Sequence, residues 1–275
     1  MRGSTARGAR ECYDRSMSDV RIERLGRTTL VTIERPEARN ALTREVNRAL
    51  VAAFDEAAAD PEVRVILLTG AGGHFCAGTD LKKNVQDNPN FLEMLGDFLD
   101  EYHSVIRAIF RCPKPTMAVI DGAAVGFGAD LAFACDLRIA SEAAYVQERF
   151  VKIGLMPDGG GTFWLPRLVG TARAMQMILM AEKIDAARMK ELGLALDIVP
   201  SLRLRDAALA VARSLEAGPP LAYAAIKQAL YASWGSLEDA LLREREGQLK
   251  LLRSEDAMEG VMAWMGRRDP VFQGK

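Results

Sequence analysis

The chain has 275 residues, enough for one large α/β domain or for a core domain with a helical appendage. Hydrophobic residues make up 49% and charged residues 27%, the proportions of an ordinary globular protein. The net charge of −1 excludes an overall attraction to nucleic acid or to an anionic membrane, and no apolar run reaches the ~18 residues that a membrane span needs.

Cysteine and histidine usage argues against a metal centre. The four cysteines are scattered without C-x-x-C spacing, which indicates reduced thiols and a cytoplasmic protein. Only two histidines are present, His74 and His103, so a multi-histidine site cannot be assembled. We therefore expect no metal and no disulfide.

The chain order predicts three parts. Residues 1–16 lack the apolar run of a secretory signal and are predicted to be a disordered leader or a mis-assigned start, with Met17 as the first residue. Residues 17–200 are predicted to form the core that carries the glycine-rich loops, and residues 201–275 a helical C-terminal region.

Taken in order, the first elements are a hairpin, a helix and a buried strand. Alternating residues at 20–25 and 29–33 flank Gly26-Arg27 and predict an antiparallel hairpin. Thr43 is a suitable N-cap for a helix that runs to about Asp60. The apolar run 63–69 predicts a buried strand that ends at the first glycine-rich loop.

A second strand–loop–helix pattern follows. An amphipathic helix is predicted at about 91–110 and a strand at 116–120, before the second glycine-rich loop and a short helix that ends at Cys135. Shorter elements are predicted as strands at 137–140, 144–146 and 196–199, and as helices that start at Pro219-Pro220, Ser236 and Ser254. Strands crossed over by helices, with a helical last third, predict an α/β fold.

The first glycine-rich loop spans residues 72–81 and comes directly after a buried strand. Its glycines let the backbone turn sharply and bring free N–H groups close to a ligand. If a helix begins near Asp80, the N–H of Thr79 lies at its positive end and can meet an anion. The alternative is a loop whose glycines only permit a tight turn.

Three common glycine-rich motifs are excluded. Gly70 and Gly72 begin a G-x-G-x-x-G pattern, but Phe75 stands at the third glycine, so a dinucleotide site is not predicted. Walker A and G-x-S-x-G patterns are absent from the sequence, which argues against a nucleotide site and a serine hydrolase.

The second glycine-rich loop, residues 122–128, also follows a strand and opens a helix. Gly126 and Gly128 flank Phe127, so the N–H of Phe127 can face a ligand without crowding by side chains. Two such loops would supply two donors for one oxygen, which is what an oxyanion hole needs. Asp130, one turn further, could reach the same cavity or could only complement the helix dipole.

A third candidate is Asp158, which lies in the run 154–162 among glycines and apolar residues. Partial desolvation there would raise the pKa of its carboxyl group toward that of a useful base. The alternative is a helix N-cap aspartate, for which the position is equally suited.

Together these segments resemble the crotonase, or enoyl-CoA hydratase/isomerase, superfamily over about residues 19–275. Further matches are the runs Arg35-Pro36-Glu37-Ala38-Arg39-Asn40-Ala41-Leu42, Cys135-Asp136-Leu137-Arg138-Ile139-Ala140 and the tail 259–275. The resemblance implies a spiral of ββα units with a helical trimerisation region, assembled as a homotrimer or a dimer of trimers.

The resemblance also implies residue roles. Thr79 and Phe127 would form the oxyanion hole through their main-chain N–H groups, and no cofactor is expected beyond the coenzyme A of an acyl-CoA substrate. The residues implied to line the coenzyme A path are Ala38, Arg39, Ala41, Ala77, Gly78, Asp80, Leu81, Gly126, Phe272 and Lys275. Phe272 and Lys275 would act on the nucleotide end, in some members from the neighbouring subunit.

The departures from the family pattern favour isomerisation. Family hydratases carry one glutamate where this chain has Asp130 and a second where it has Phe150. Hydration needs two acids around one water, and Phe150 breaks that pair. Glu148 is close in sequence but is displaced by two residues, so we do not expect it to replace the missing acid. Asp130 and Asp158 coincide with the two aspartates of dienoyl-CoA isomerases.

We therefore expect a coenzyme A thioester isomerase in which Asp158 moves a proton and Asp130 assists it or holds it in place. Three alternatives remain open: an enoyl-CoA hydratase, another enolate reaction such as hydrolysis or dehalogenation, and an acyl-CoA-binding homologue without catalysis.

Overall fold

An antiparallel hairpin begins the larger sheet, as the alternating residues predict. The computed structural model describes residues 14–17, 19–87, 93–232 and 237–275. In it, β2 (Val20–Leu25) pairs antiparallel with β3 (Thr28–Ile33), and β1 (Asp14–Met17) pairs antiparallel with β2. The strand β1 thus contains three residues that the sequence assigned to a leader. Residues 1–13 lie outside the described part, so the leader itself stays a prediction.

The rest of the larger sheet is parallel. It consists of β4 (Val65–Gly70), β5 (Thr116–Ile120), β7 (Leu137–Ser141) and β10 (Ile198–Val199). Within the described residues the strand order is β1-β2-β3-β4-β5-β7-β10. Parallel strands end at the same edge of a sheet, so the loops that follow β4 and β5 are neighbours.

A smaller sheet lies beside those loops. It consists of β6 (Ala123–Val125), β8 (Tyr145–Gln147) and β9 (Ile184–Asp185). The pairing of β6 with β8 is parallel, and that of β8 with β9 is antiparallel. Because β6 belongs to the second glycine-rich loop, this small sheet fixes the direction in which the loop enters the next helix.

Helices cover both faces of the larger sheet. Thr43 caps the first of them through its side chain, which accepts the Val46 N–H at 3.3 Å, and Ser254 caps the last in the same way. The predicted cap Ser236 lies outside the described residues. The helices are α1 (Arg44–Ala59), α2 (Leu81–Asp87), α3 (Leu95–Arg111), α4 (Phe127–Ala134), α5 (Gly161–Val169), α6 (Thr171–Leu179), α7 (Ala186–Glu191), α8 (Leu204–Glu216), α9 (Pro220–Ala232), α10 (Leu237–Leu251) and α11 (Glu255–Gly266).

The core explains why the central strands are apolar on both sides. In β4, Ile66 and Leu68 point into the cluster shared with α1 and α3, whereas Val65 and Leu67 point toward α8 on the other face. A strand covered on both faces needs an unbroken apolar run rather than an alternating one. Burying such a side chain contributes about 1.5–3 kcal/mol. The predicted α/β fold with a helical C-terminal part is confirmed.

Within the described residues, helices that are both long and apolar enough to cross a membrane are lacking.

Candidate active site

The first glycine-rich loop is held by the segment that precedes α1. Asn40 is buried, and its side-chain N–H groups donate to the carbonyls of Ala71 and His74 at 2.8 and 2.6 Å. The Asn40 side-chain oxygen accepts the Arg35 N–H at 2.9 Å. The loop is therefore anchored by hydrogen bonds to its backbone, so its free N–H groups have fixed directions.

Thr79 is oriented by pairing with Leu42. The Leu42 N–H donates to the Gly78 carbonyl and the Asp80 N–H donates to the Leu42 carbonyl, each at 2.8 Å. This is a parallel bridge between Leu42 and Thr79. In such a bridge the groups that flank Thr79 face Leu42, and the N–H of Thr79 itself points to the opposite side.

The second loop runs alongside the first. The Cys76 N–H donates to the Ala123 carbonyl and the Val125 N–H to the Cys76 carbonyl, both at 2.9 Å. Phe127 is the first residue of α4, so its N–H has no acceptor inside the helix. The two loops therefore place two candidate donors side by side.

At Gly78 the first loop passes close to the second loop, next to Phe127. It has φ +93°, and a Cβ at this position would lie 2.8 Å from the Val125 carbonyl oxygen and 3.4 Å from the Phe127 nitrogen. The Thr79 nitrogen is the next backbone nitrogen after Gly78. A side chain at residue 78 would therefore separate the two N–H groups, and glycine is required there for steric and conformational reasons.

A cavity of about 740 Å³ opens in front of these donors. Of the residues implied by the sequence, seven line it: Ala77, Gly78, Thr79, Leu81, Gly126, Phe127 and Asp158. The remaining wall is largely apolar and includes Val85, Phe98, Leu99, Tyr102, Phe150 and Leu155. Residues 79 and 127 thus face one cavity that also contains a carboxylate, and the volume suits an acyl group.

Other implied residues lie next to the cavity without lining it. Asp80 forms an ion pair with the Arg35 guanidinium at 3.1 Å and caps α2 by accepting the Lys83 N–H at 3.0 Å. The carbonyl of Arg39 accepts the Ala77 N–H at 3.0 Å. Arg39 through its backbone and Asn40 through its side chain therefore support the loop, and a direct coenzyme A contact by Ala38, Arg39, Ala41 or Asp80 stays a prediction.

The C-terminal tail folds back onto α11 rather than into this cavity. The Asp256 carboxylate accepts the N–H groups of Gln273 and Gly274 at 2.6 and 2.9 Å. The Phe272 carbonyl accepts from Arg64 at 3.4 Å, and the Lys275 carbonyl accepts the Asp256 N–H. Phe272 and Lys275 are thus not cavity residues of their own chain, and their role in binding stays a prediction.

Asp158 is the carboxylate that faces the cavity. It is partly buried, and burial raises the pKa of its carboxyl group, with the nearby His103 acting in the opposite direction. The His103 Nε2 lies 2.7 Å from the Asp158 carbonyl oxygen, so this ring nitrogen carries the hydrogen and donates. A base with a raised pKa holds a proton more strongly and is better matched to proton abstraction near neutral pH.

Behind Asp158 lie two more acids, Asp130 and Glu148. Asp130 is fully buried on α4 and accepts the Gly159 N–H at 3.0 Å; burial, with Asp158 adding to it, raises its pKa to about 8. Glu148 is 1% exposed, and burial followed by the charges of Asp130 and Asp158 raises its pKa well above the ordinary value. Neither is among the residues that line the cavity, because α4 carries the short Asp130 side chain beneath the Gly159–Gly161 turn; a direct catalytic role for Asp130 stays a prediction.

Phe150 lines the cavity at the position where family hydratases carry their second glutamate. Its ring lies 3.7 Å from where a Cβ on Gly126 would stand, beside the second loop. Glu148, discounted from the sequence, instead turns inward next to Val146, which is also fully buried. The alternation of β8, continued one residue beyond its end at Gln147, was the available signal for Glu148, whereas His103 had no comparable signal on its helix.

The parallel sheet crossed over by helices, with two glycine-rich loops and a partly buried carboxylate at one apolar cavity, is a fold of the crotonase type. The family model for enoyl-CoA hydratase/isomerase matches residues 26–275. The chain belongs to the enoyl-CoA hydratase/isomerase family.

Relatives of both named activities are similar to it. The chain is 41% identical over 261 residues to a Rhodobacter capsulatus protein named "Probable enoyl-CoA hydratase", covering 94% of this chain and 100% of that one. It is 37% identical over 247 residues to the 1,2-epoxyphenylacetyl-CoA isomerase of Escherichia coli, covering 89% and 94%. The crystal structure of an enoyl-CoA hydratase from Polaromonas sp. JS666 superposes with a TM-score of 0.87 at 33% identity, covering 92% and 99%.

Proposed function

We propose that this chain is an acyl-CoA thioester isomerase that shifts a carbon–carbon double bond. The observation that carries the proposal is the composition of the cavity wall. Among the described residues that line it, Asp158 is the single carboxylate, and Phe150 lines the same cavity with an aromatic ring. One base can take and return a proton, whereas adding water needs a second acid to hold and split that water.

The reaction uses backbone dipoles on one side of the substrate and Asp158 on the other. The N–H groups of Thr79 and Phe127 donate to the thioester oxygen and stabilise the negative charge that develops there. Asp158 removes the activated proton from one carbon, which gives a bound dienolate. The same carboxylic acid then returns the proton to another carbon of the dienolate, so the double bond moves and no atom is gained or lost.

The substrate supplies its own coenzyme A, and the proposal involves no further cofactor. The residues proposed to line the coenzyme A path are Ala77, Gly78, Leu81 and Gly126 at the cavity, with the segment 38–41 and Asp80 behind them. A homotrimer or a dimer of trimers is proposed with it, because Phe272 and Lys275 could then reach the site of a neighbouring subunit.

A matched pair of substrates tests the proposal. Enoyl-CoA thioesters with the double bond at the 2,3 or 3,4 position are incubated with the enzyme, and the products are separated by chromatography. We expect interconversion of the two isomers and poor hydration of crotonyl-CoA. Efficient hydration of crotonyl-CoA would contradict the isomerase preference.

Hydration is the second candidate, and the burial of Glu148 beside Asp130 is the observation that favours it. If Glu148 reaches a catalytic water, Glu148→Gln should abolish hydration while leaving the double-bond shift intact. Binding without catalysis is separated from both by exchange of acyl-CoA α- or γ-protons in D₂O. No exchange across a panel of thioesters would leave the chain an acyl-CoA-binding protein.

A further inference from the structure

Glu148 is a buried ionisable side chain for which the proposed mechanism has no use. It is 1% exposed, and within the described residues neither of its carboxylate oxygens has a hydrogen-bond partner. Its charged neighbours are two further carboxylates, Asp130 and Asp158. A buried carboxylate without a cation or a donor is strongly disfavoured, so the arrangement needs a proton.

The space above Gly161 brings a carboxylate oxygen of Glu148 and one of Asp130 to the same side of the turn. A Cβ on Gly161 would lie 2.7 Å from Asp130 Oδ1 and 3.1 Å from Glu148 Oε1. Both of these oxygens are buried, and neither has a hydrogen bond of good geometry within the described residues; the Gly161 N–H lies close enough to the Asp130 carboxylate to lower its pKa. Two such oxygens that share one small space satisfy each other when one proton lies between them, as an O–H donor and a carboxylate acceptor.

The other oxygen of Asp130 continues this contact to the catalytic base. Asp130 Oδ2 accepts the N–H of Gly159 at 3.0 Å, and that N–H belongs to the peptide bond between Asp158 and Gly159. The carbonyl of the same peptide bond accepts from His103 Nε2 at 2.7 Å. Because a peptide group is planar, fixing both its N–H and its C=O fixes the plane next to the Cα of Asp158.

We propose that Glu148 is a positioning residue of the isomerase. In its protonated form it donates to Asp130, and Asp130 and His103 together hold the Asp158–Gly159 peptide, which directs the Asp158 side chain into the cavity. We call this arrangement the clamp. The proposal rests on the proposed function, since it assigns Asp158 as the base. Glu148 does not contact substrate. The clamp sets the direction of the Asp158 side chain, and misplacing a reacting group by about 1 Å can cost ~10²-fold in rate.

Two substitutions of Glu148 by side chains of nearly equal size test whether it acts as a hydrogen-bond donor or only fills space. In Glu148→Gln the amide donates to Asp130 as the protonated acid does, so we expect kcat within about 3-fold of the parent enzyme. In Glu148→Leu that donor is lost and Asp130 Oδ1 has no side-chain donor, so we expect kcat to fall by ~10-fold or more with KM changed less than about 3-fold. Equal kcat in the Leu variant and the parent, or an equal fall in both variants, would overturn the proposal.

A folding defect in Glu148→Leu is detected by thermal unfolding of each variant. If that variant does not fold, His103→Leu and His103→Gln test the other end of the same peptide, since Gln retains an N–H donor at that end. The expected result is again a fall in kcat at nearly constant KM in the Leu variant alone. A fall confined to KM would contradict the clamp.

An infrared spectrum of the free enzyme tests for the proton between Glu148 and Asp130 without measuring turnover. A buried protonated carboxyl group gives a C=O stretch separate from that of carboxylates, and we expect Glu148→Gln to remove this band near neutral pH. If the parent enzyme shows the band but neither isomerises the substrate nor exchanges protons, the proposed function is contradicted, while the proton shared by Glu148 and Asp130 is supported. A parent enzyme that isomerises without the band would contradict the clamp alone.

Discussion

The two walls of the cavity are built on different principles. The amide wall, formed by Gly78-Thr79 and Gly126-Phe127, consists of backbone groups whose direction follows from strand ends and a helix start. The carboxyl wall consists of Asp158, which lines the cavity, and of Asp130 and Glu148, which are buried behind it; the three side chains come from separate segments of the chain. Local sequence determines the first wall, and long-range packing determines the second. The two walls should therefore respond differently to substitution.

The largest effect is expected from Asp158→Asn on the carboxyl wall. The amide keeps the size and the backbone of the base but cannot accept the proton, so kcat should fall by at least ~10²-fold. Binding of a saturated acyl-CoA should survive, because the cavity and the amide wall are unchanged; calorimetry measures it. Unchanged turnover would remove Asp158 from the mechanism.

The amide wall is tested by Gly78→Ala. The added Cβ would meet the Val125 carbonyl at 2.8 Å and the Phe127 nitrogen at 3.4 Å, so the two donors would be pushed apart. Losing one oxyanion donor costs about 10²–10³-fold, and we expect a fall of ~10–100-fold in kcat/KM for a partial displacement.

Gly73→Ala is the matched control for this substitution. Gly73 also has a positive φ, +77°, but a Cβ there meets nothing within 4 Å. It therefore introduces backbone strain of a similar kind without touching the donors. Equal losses in the two variants would show that strain in the loop, rather than separation of the N–H groups, accounts for the effect.

The sequence predicted the amide wall better than the carboxyl wall, and the two construction principles explain why. Glycines that follow apolar strands mark where a backbone turns, so Thr79 and Phe127 could be located before the structure was known. The hairpin, α1 with its Thr43 cap, and the parallel strands followed equally from local patterns.

The carboxyl wall depended on information that a local pattern lacks. The distance along the chain between Asp130 and Gly159 does not reveal that they share a hydrogen bond. Whether Glu148 pointed inward depended on the register of β8, and a shift of one residue would have reversed it. The contact of His103 with the Asp158 carbonyl joins α3 to a distant turn, and a single histidine in a helix carries no signal for it.

The pH dependence of stability gives a third, smaller test of the carboxyl wall. Asp130 and Glu148 form a pair of buried acids with raised pKa values, that of Asp130 moving from 3.8 to about 8, so between these values the folded pair holds a proton that the unfolded state releases. The unfolding free energy should therefore fall as the pH rises through this range, by up to about 1.4 kcal/mol per pH unit for that proton. The stabilisation is complete below the ordinary pKa and is lost at alkaline pH.

The variant Asp130→Asn/Glu148→Gln removes both titrating groups, so its stability should decline less between pH 5 and about 8. Denaturant unfolding at several pH values measures the difference, with Asp55→Asn, an exposed acid on α1, as the control. A decline as steep as that of the parent enzyme would mean that other groups control the pH dependence.

The smallest expected effect is a gain, from Phe150→Glu. This substitution adds a second carboxyl group to the cavity wall that now holds Asp158 alone among its described acids. Two acids can hold and split a water molecule, so hydration of crotonyl-CoA should rise, although an acid placed without supporting contacts gives far less than the usual ~10²-fold of a positioned one. We expect about 3-fold or more over Phe150→Leu, which opens the same space without an acid. Equal hydration in the two variants would mean that the cavity wall lacks the contacts that support the second carboxylate of a hydratase, as well as that carboxylate itself. The difference between hydration and isomerisation would then depend on more residues than residue 150.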